Sequence, residues 1–209
     1  MAKLKAPLLS LGASQQIGKA LVFFPWKGLN VVREYVIPAN PKTALQKAQR
    51  DKLSQAVAAV HAAQAEAANP LIAIDVEAYA SWASVVQAAT TWFNQACRQW
   101  IDRLIAGKKA IIGRGCTISA ITATGFSAKL YSSQFEAGKC ATGQFRWGTS
   151  KTALINIKAA TFTALDKSMD ATWTGLAPKT KYYFQFEGLT VTDYAGAKSG
   201  IYHVTTLAT

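Results

Sequence analysis

Apolar positions change their period near residues 113–115. Upstream they recur at helical spacing behind two β-rich runs; downstream they alternate in short runs separated by Gly, Lys, Ser and Asp. The β-rich runs, residues 20–26 and 29–37, meet at Lys27-Gly28, a two-residue tight turn. Alternation in the second run places Val31, Arg33, Tyr35 and Ile37 on one face and Val32, Glu34 and Val36 on the other. Pro25 makes the first run an edge strand or cuts it short. An isolated two-stranded ribbon is marginal in water. This one carries Phe23, Phe24 and Trp26, so it must lie on its own helices or on a neighbouring subunit.

Pro38-Ala-Asn-Pro-Lys-Thr43 punctuates the chain. Asn40 offers a side-chain acceptor to the first amides of a helix and Pro41 suits its first position, which predicts a helix over 41–68. Leu45, Leu53, Val57 and Val60, with Ala48, Ala56 and Ala63, form its apolar stripe. Asn69-Pro70 ends it, and Asp75 caps a second helix with Val76, Tyr79, Ala83 and Val86 on its apolar face. Thr90-Thr91 bends or breaks that helix, and Trp92, Phe93, Cys97, Trp100, Ile101 and Leu104 keep the period as far as Gly107. Trp82, Trp92 and Trp100 are expected as core anchors, with at least one free to face a partner.

Strands are expected at 117–123, 127–132, 144–148, 153–159, 168–174, 181–187 and 200–207. Seven strands in about ninety residues is the pattern of an immunoglobulin-like sandwich. The fold class is therefore α+β in two domains. An extended arm (1–17) precedes a β-hairpin and helical unit (18–113) and an all-β sandwich (114–209), with Gly113-Arg-Gly115 as the hinge.

Charge and cysteine usage narrow the function classes. The net charge is +12, but it is dispersed: residues 1–113 hold 13 Lys+Arg and 6 Asp+Glu, and residues 114–209 hold 10 and 5. A nucleic-acid surface concentrates its charge on one face or in an arm, so no specific nucleic acid is expected. No apolar run reaches the roughly 18 residues of a membrane span. Cys97, Cys116 and Cys140 include no Cys-x-x-Cys pair and read as thiols, although Cys116 and Cys140 could approach each other across a sheet.

No chemistry assembles in the sequence. His61 and His203 lie far apart with no Cys, Asp or Glu at ligand spacing, so neither metal nor cofactor is expected. Asp75 and Glu77 suit a helix N-terminus, and Asp166 and Asp170 suit a turn. Gly113-Arg-Gly115 is too short for a phosphate loop, and a nucleophile would lack its base. The chain is read as a non-enzyme.

Two resemblances sharpen this reading. Trp173-Thr-Gly-Leu-Ala-Pro-Lys-Thr-Lys-Tyr-Tyr-Phe-Gln-Phe186, together with Gln144-Phe-Arg-Trp-Gly-Thr-Ser150, resembles fibronectin type III domains. The resemblance implies that Leu176 plugs the core and that Tyr182 or Tyr183 bonds back to the turn. Val31-Val-Arg-Glu-Tyr-Val-Ile-Pro-Ala-Asn-Pro-Lys-Thr43, followed by Gln and Arg on a helix, is similar to small virion structural proteins of tailed bacteriophages. It implies a structural protein made in the host cytoplasm and built into the capsid, neck or tail. Its partners would be copies of itself or other virion proteins, met through Phe23, Phe24, Trp26, Val31, Arg33 and Tyr35. The alternative is an adhesin that binds a host-surface glycan or receptor through loop aromatics of the sandwich, such as Tyr131, Trp147 and Tyr194.

Overall fold

Twelve strands in three antiparallel sheets and three helices make a mixed α+β protein. These are counts among the described residues, which in this computed structural model are 2–4, 15–37, 39–40, 42–86, 90–189 and 193–208. The chain divides into two compact units, Met1–Thr43 and Ala44–Thr209.

The first unit is a four-stranded sheet in the order β1 (Ala2–Leu4), β4 (Leu29–Glu34), β3 (Leu21–Trp26), β2 (Gln15–Ile17). Lys27 and Gly28 both take positive φ, 50° and 77°. Two such residues in succession turn the chain with the hand that twisted strands require. Residues 1–17 were expected as an arm; instead both ends of that stretch pair with the hairpin, Ala2–Leu4 along β4 and Gln15–Ile17 along β3. Pro7 lies outside the described residues. Among the described residues β2 pairs with Leu21–Phe23 and stops short of Pro25, which has no amide to give a ladder.

The second unit begins with α1 (Ala44–Ala65), α2 (Ala73–Val86) and α3 (Trp92–Ile105). Pro38 and Pro41 lie outside the described residues. α1 starts at Ala44 because Lys42 takes a positive φ of 48°, which no right-handed helix accommodates. Its buried residues are Ala56, Val60 and Ala63, whereas Leu45 and Leu53, expected on the core stripe, are exposed. The reason is length: at 1.5 Å per residue α1 runs about 33 Å and its partner α3 about 21 Å, so the first turns overhang. Thr91 caps α3, its hydroxyl accepting from the Asn94 amide at 3.3 Å. Trp82, Trp92 and Trp100 are half-buried around the helical core.

The remaining strands form two sheets of four. One has the order β5 (Arg114–Ser119), β6 (Phe126–Tyr131), β10 (Ser168–Trp173), β9 (Thr161–Thr163). The other has β12 (Tyr202–Thr205), β11 (Lys181–Gly188), β7 (Gly143–Gly148), β8 (Asn156–Ala159). β9 is an eighth strand that the sequence pattern did not predict. Between the sheets lies one aromatic core. Phe126 stacks on Trp173 at 4.5 Å between ring centroids, and Phe145 meets Phe184 and Phe186 edge-on. Leu176 is buried below the β10–β11 turn. Of the two tyrosines after it, Tyr182 closes the turn, its hydroxyl accepting from the Ala177 amide at 2.9 Å.

The helices and the sandwich belong to one unit, and α2 joins them. Ala78 is part of the sandwich core and Tyr79, the next residue, part of the helical core. Gly113-Arg-Gly115, expected as a hinge, is held on every residue. The Gly113 amide donates to Tyr79 Oη at 3.1 Å, and the Gly115 amide donates to Asp75 Oδ2 at 2.7 Å. The Arg114 guanidinium reaches the carbonyls of Ala68 and Asn69 and the Glu66 carboxylate. A segment whose polar groups are buried and paired in this way cannot flex without unpairing them.

Candidate functional site

The six residues expected at an assembly surface all fall in the N-terminal sheet, on β3, β4 and the residue after them. Strand register sorts them by face. Phe24 lies opposite Val31 and Trp26 opposite Leu29, with Val22 and Arg33 continuing the same face; Phe23 lies opposite Val32 on the other. The Arg33 guanidinium sits 5.3 Å from the centre of the Phe24 ring, a cation–π contact on that first face. Phe23 and Val31 are buried, while Phe24 and Tyr35 are half-buried. Trp26 is 55% exposed, and Ile17, Leu21, Leu29, Val36 and Ile37 are also exposed. The Tyr35 amide donates to the Ala20 carbonyl at 2.8 Å, closing the open end of the hairpin.

The aromatics proposed for glycan stacking do not form a loop platform. Trp147 lies in β7 and packs on Tyr182 at 5.8 Å, Tyr131 ends β6, and Tyr194 is buried. His61 is exposed on α1 beside Phe93, and His203 on β12 faces Glu77 at 3.8 Å. Burial lowers the His203 pKa, helped by the nearby Lys181 charge and opposed by Glu77. Among the described residues no three His, Cys, Asp or Glu side chains gather as a metal site would require. The three cysteines are buried thiols, and desolvation pushes the Cys97 and Cys116 pKa values up, away from nucleophilic use.

Two features were not foreseen from the sequence. The first is Asp75, fully buried at the N-terminal turn of α2. Its Oδ2 accepts from the Ile72 and Gly115 amides at 2.9 and 2.7 Å. Its Oδ1 accepts from the Cys116 amide at 3.2 Å and the Tyr202 hydroxyl at 2.8 Å. The bond back to Ile72 is half of a capping box, as expected of a cap residue. The other three reach the sandwich and were invisible in the sequence, because their donors lie 40, 41 and 127 residues away. Desolvation raises the Asp75 pKa against the pull of these four bonds.

The second is a pair of clefts that share Trp82 and Lys198. One, of about 210 Å³, has Gln95, Gln99 and Arg103 of α3 in its lining; the other, of about 310 Å³, has Arg146, Lys151 and Glu187. The spacing Gln95, Gln99, Arg103 on a helix otherwise rich in aromatics was the available signal for the first cleft.

No protein-family model matches the chain, and no curated protein does. Among solved structures it is similar to the sensor domain of the anti-sigma factor RsgI4 from Pseudobacteroides cellulosolvens. A short form of that domain is 22% identical at a TM-score of 0.35, covering 47% of this chain and 94% of the other. The solution structure of the same domain is 20% identical at 0.33, covering 47% and 74%. The fn3 domain of human contactin 1 is 12% identical at 0.36, covering 46% of this chain and 77% of the other. None of the three is close enough to transfer a role.

Proposed function

We propose that the protein is a non-enzymatic structural component of a tailed-phage virion, docked through its N-terminal sheet and carrying a fibronectin type III-like sandwich. The observation that carries this reading is the contrast between the two units. Ala44–Thr209 builds a continuous aromatic core, whereas Met1–Thr43 is a small sheet that leaves Trp26, Leu21, Leu29 and Ile37 exposed. A unit of about forty residues is at the lower limit of what folds without disulfides, metals or association. A neighbouring copy that covers the face bearing Trp26 and Leu29 would supply the missing burial. The overhanging first turns of α1, with Leu45 and Leu53 exposed, offer a second contact of the same kind. The Arg-x-Tyr-Val and Pro-x-Asn-Pro-x-Thr pattern of residues 33–43 supports placing that association in a phage particle. The strand order of the two sheets and the Tyr182–Ala177 bond support the fibronectin type III reading of the sandwich.

The test is light scattering and negative-stain imaging of the full chain beside a chain beginning at Ala44. The full chain should form closed oligomers or tubes and the shortened chain should be monomeric. A full chain that stays monomeric at high concentration would remove the basis for an assembly role.

A further inference from the structure

Gln95 and Gln99 are 2% and 6% exposed, yet among the described residues the Oε1 atom of each has no hydrogen-bond partner, and neither has Arg103 Nε. All three belong to one face of α3 and line the smaller cleft. Gln99 Nε2 donates to the Ile111 carbonyl at 3.5 Å, so the orphaned atoms are the two amide oxygens. A buried acceptor left without a partner costs about 1–3 kcal/mol, and native proteins rarely keep two in one cleft lining without a use. The terminal torsion of glutamine is broad, so a small turn presents either amide to the cleft. Arg103 is already anchored, its Nη2 donating to the Ala195 carbonyl, which leaves Nε as a donor in the same cleft lining as the two acceptors.

The surroundings select the ligand. Trp82 is half-buried and forms the wall common to both clefts, whose volumes together fall in the range of small-molecule sites. Three arginines and two lysines line them against Asp102 and Glu187. Both carboxylates are engaged, Asp102 with Arg98 at 3.7 Å and Glu187 with Arg146 and Lys198. The net field is therefore positive. Phosphodiesters offer only acceptors to the orphaned amide oxygens, and a peptide offers one backbone donor per residue. A pyranose offers several hydroxyls, each both donor and acceptor, around an apolar face that stacks on indole.

We propose that the paired clefts around Trp82 bind an acidic glycan: hydroxyls meet Gln95, Gln99 and Arg103, and a sugar carboxylate meets the Lys198 side of the groove. The site lies wholly within Ala44–Thr209 and does not depend on assembly through the N-terminal sheet.

The full chain is titrated at physiological ionic strength with polygalacturonate and polysialate, with dextran, poly-glutamate and single-stranded DNA as comparison probes. At least one acidic glycan binds, dextran binds tenfold or more weakly, and poly-glutamate and DNA do not compete. The double variant Gln95→Leu, Gln99→Met lowers glycan affinity at least tenfold; it removes both orphaned oxygens together with the Gln99 Nε2 bond to the Ile111 carbonyl, so its melt is recorded beside its affinity. The Trp82 indole N–H resonance, assigned by its loss in Trp82→Phe, shifts on titration of the unmodified chain. Binding of neither acidic glycan, equal binding of poly-glutamate or DNA, or full affinity in the double variant overturns the proposal. Should the double variant fail to fold, an unmoved Trp82 resonance overturns it instead.

Discussion

The hydroxyl of Tyr202 donates a 2.8 Å hydrogen bond to Oδ1 of Asp75, 127 residues earlier in the chain. Both groups are buried, so the bond ties the start of α2 to the last strand of the sandwich in a medium where a lost partner is costly. Replacing Asp75 with Ala strands three amides and a hydroxyl at once and should destabilise the protein by about 4 kcal/mol. Tyr202→Phe removes one bond to an acidic partner and should cost about 1.5 kcal/mol. Denaturant unfolding of both single variants and the double variant gives the coupling directly. Additive losses would mean that the two residues act independently.

Cutting at the change of sequence pattern should fail where cutting at the compact boundary succeeds. A fragment of residues 114–209 loses Asp75, the acceptor for the Gly115 and Cys116 amides, and loses Ala78 from its core. It should aggregate or lack a cooperative melt, whereas a fragment beginning at Ala44 should melt close to the full chain. A sharp, reversible transition in the shorter fragment would show that the helices are dispensable to the sandwich.

Gly115 takes φ +59°, and a Cβ built there would lie 2.7 Å from Asn69 Cβ. Gly115→Ala therefore meets both left-handed backbone strain and a collision with the turn after α1. The expected loss is about 3 kcal/mol, read as a drop in the denaturant midpoint at unchanged slope.

Acid should act on two groups of carboxylates in opposite senses. Side-chain bonds from Lys139 and Lys167 hold the Glu136 pKa down to about 2 from 4.5. Burial works to raise Glu187, but the bonds from Arg146 and Gln144 and the Lys198 charge outweigh it and leave its pKa lowered. For these two the unfolded chain binds more protons below pH 4.5, so their stabilisation is full above that value and is lost as pH falls through the folded values. Asp75, with its raised pKa, binds its proton more tightly when folded, so its contribution weakens as pH rises above 3.8. Thermal melts from pH 2 to 6 should therefore show a shallower acid limb in Glu187→Gln, and 1 M salt should blunt the part due to half-exposed Glu136. An unchanged limb would mean that Glu187 gains nothing from its ion pairs on folding.

Trp26→Ser removes an exposed indole from the N-terminal sheet, and Trp26 belongs to neither the helical nor the sandwich core cluster. Under the proposed assembly role it lowers self-association at least tenfold by light scattering while leaving the main thermal transition in place. Unaltered association would move the contact elsewhere on the chain.

Local chemistry was legible in the sequence, and long-range pairing was not. Lys27-Gly28 and Thr90-Thr91 each declare themselves within a few residues, because a turn or cap is decided by its own backbone angles and nearest donors. The turn from Leu176 to Tyr182 was legible only through the resemblance to fibronectin type III domains, which left Tyr182 and Tyr183 both open. The seven expected strands fell close to their places for the same reason. Asp75 read as an ordinary helix cap because its other partners are remote. Leu45 and Leu53 read as core because a stripe gives no sign of where the opposing helix ends. The residues 113–115 read as flexible because glycine suggests freedom when alone, but here it permits close approach. Of the candidate site, the aromatic content of the hairpin was legible; which rings stay exposed depends on register and on the added strands β1 and β2.

Gly200 lies so close to α2 that an added Cβ would sit 2.7 Å from Ala78 Cβ, and the Ile201 amide bonds the Ala78 carbonyl at 2.9 Å. On the ribosome α2 emerges well over a hundred residues before this seat exists. Until then the helix must wait with a carboxylate and an alanine face that nothing has yet covered. The nascent chain thus passes most of its synthesis as an unfinished body, and anything that captures exposed helices in the cell meets it in that interval.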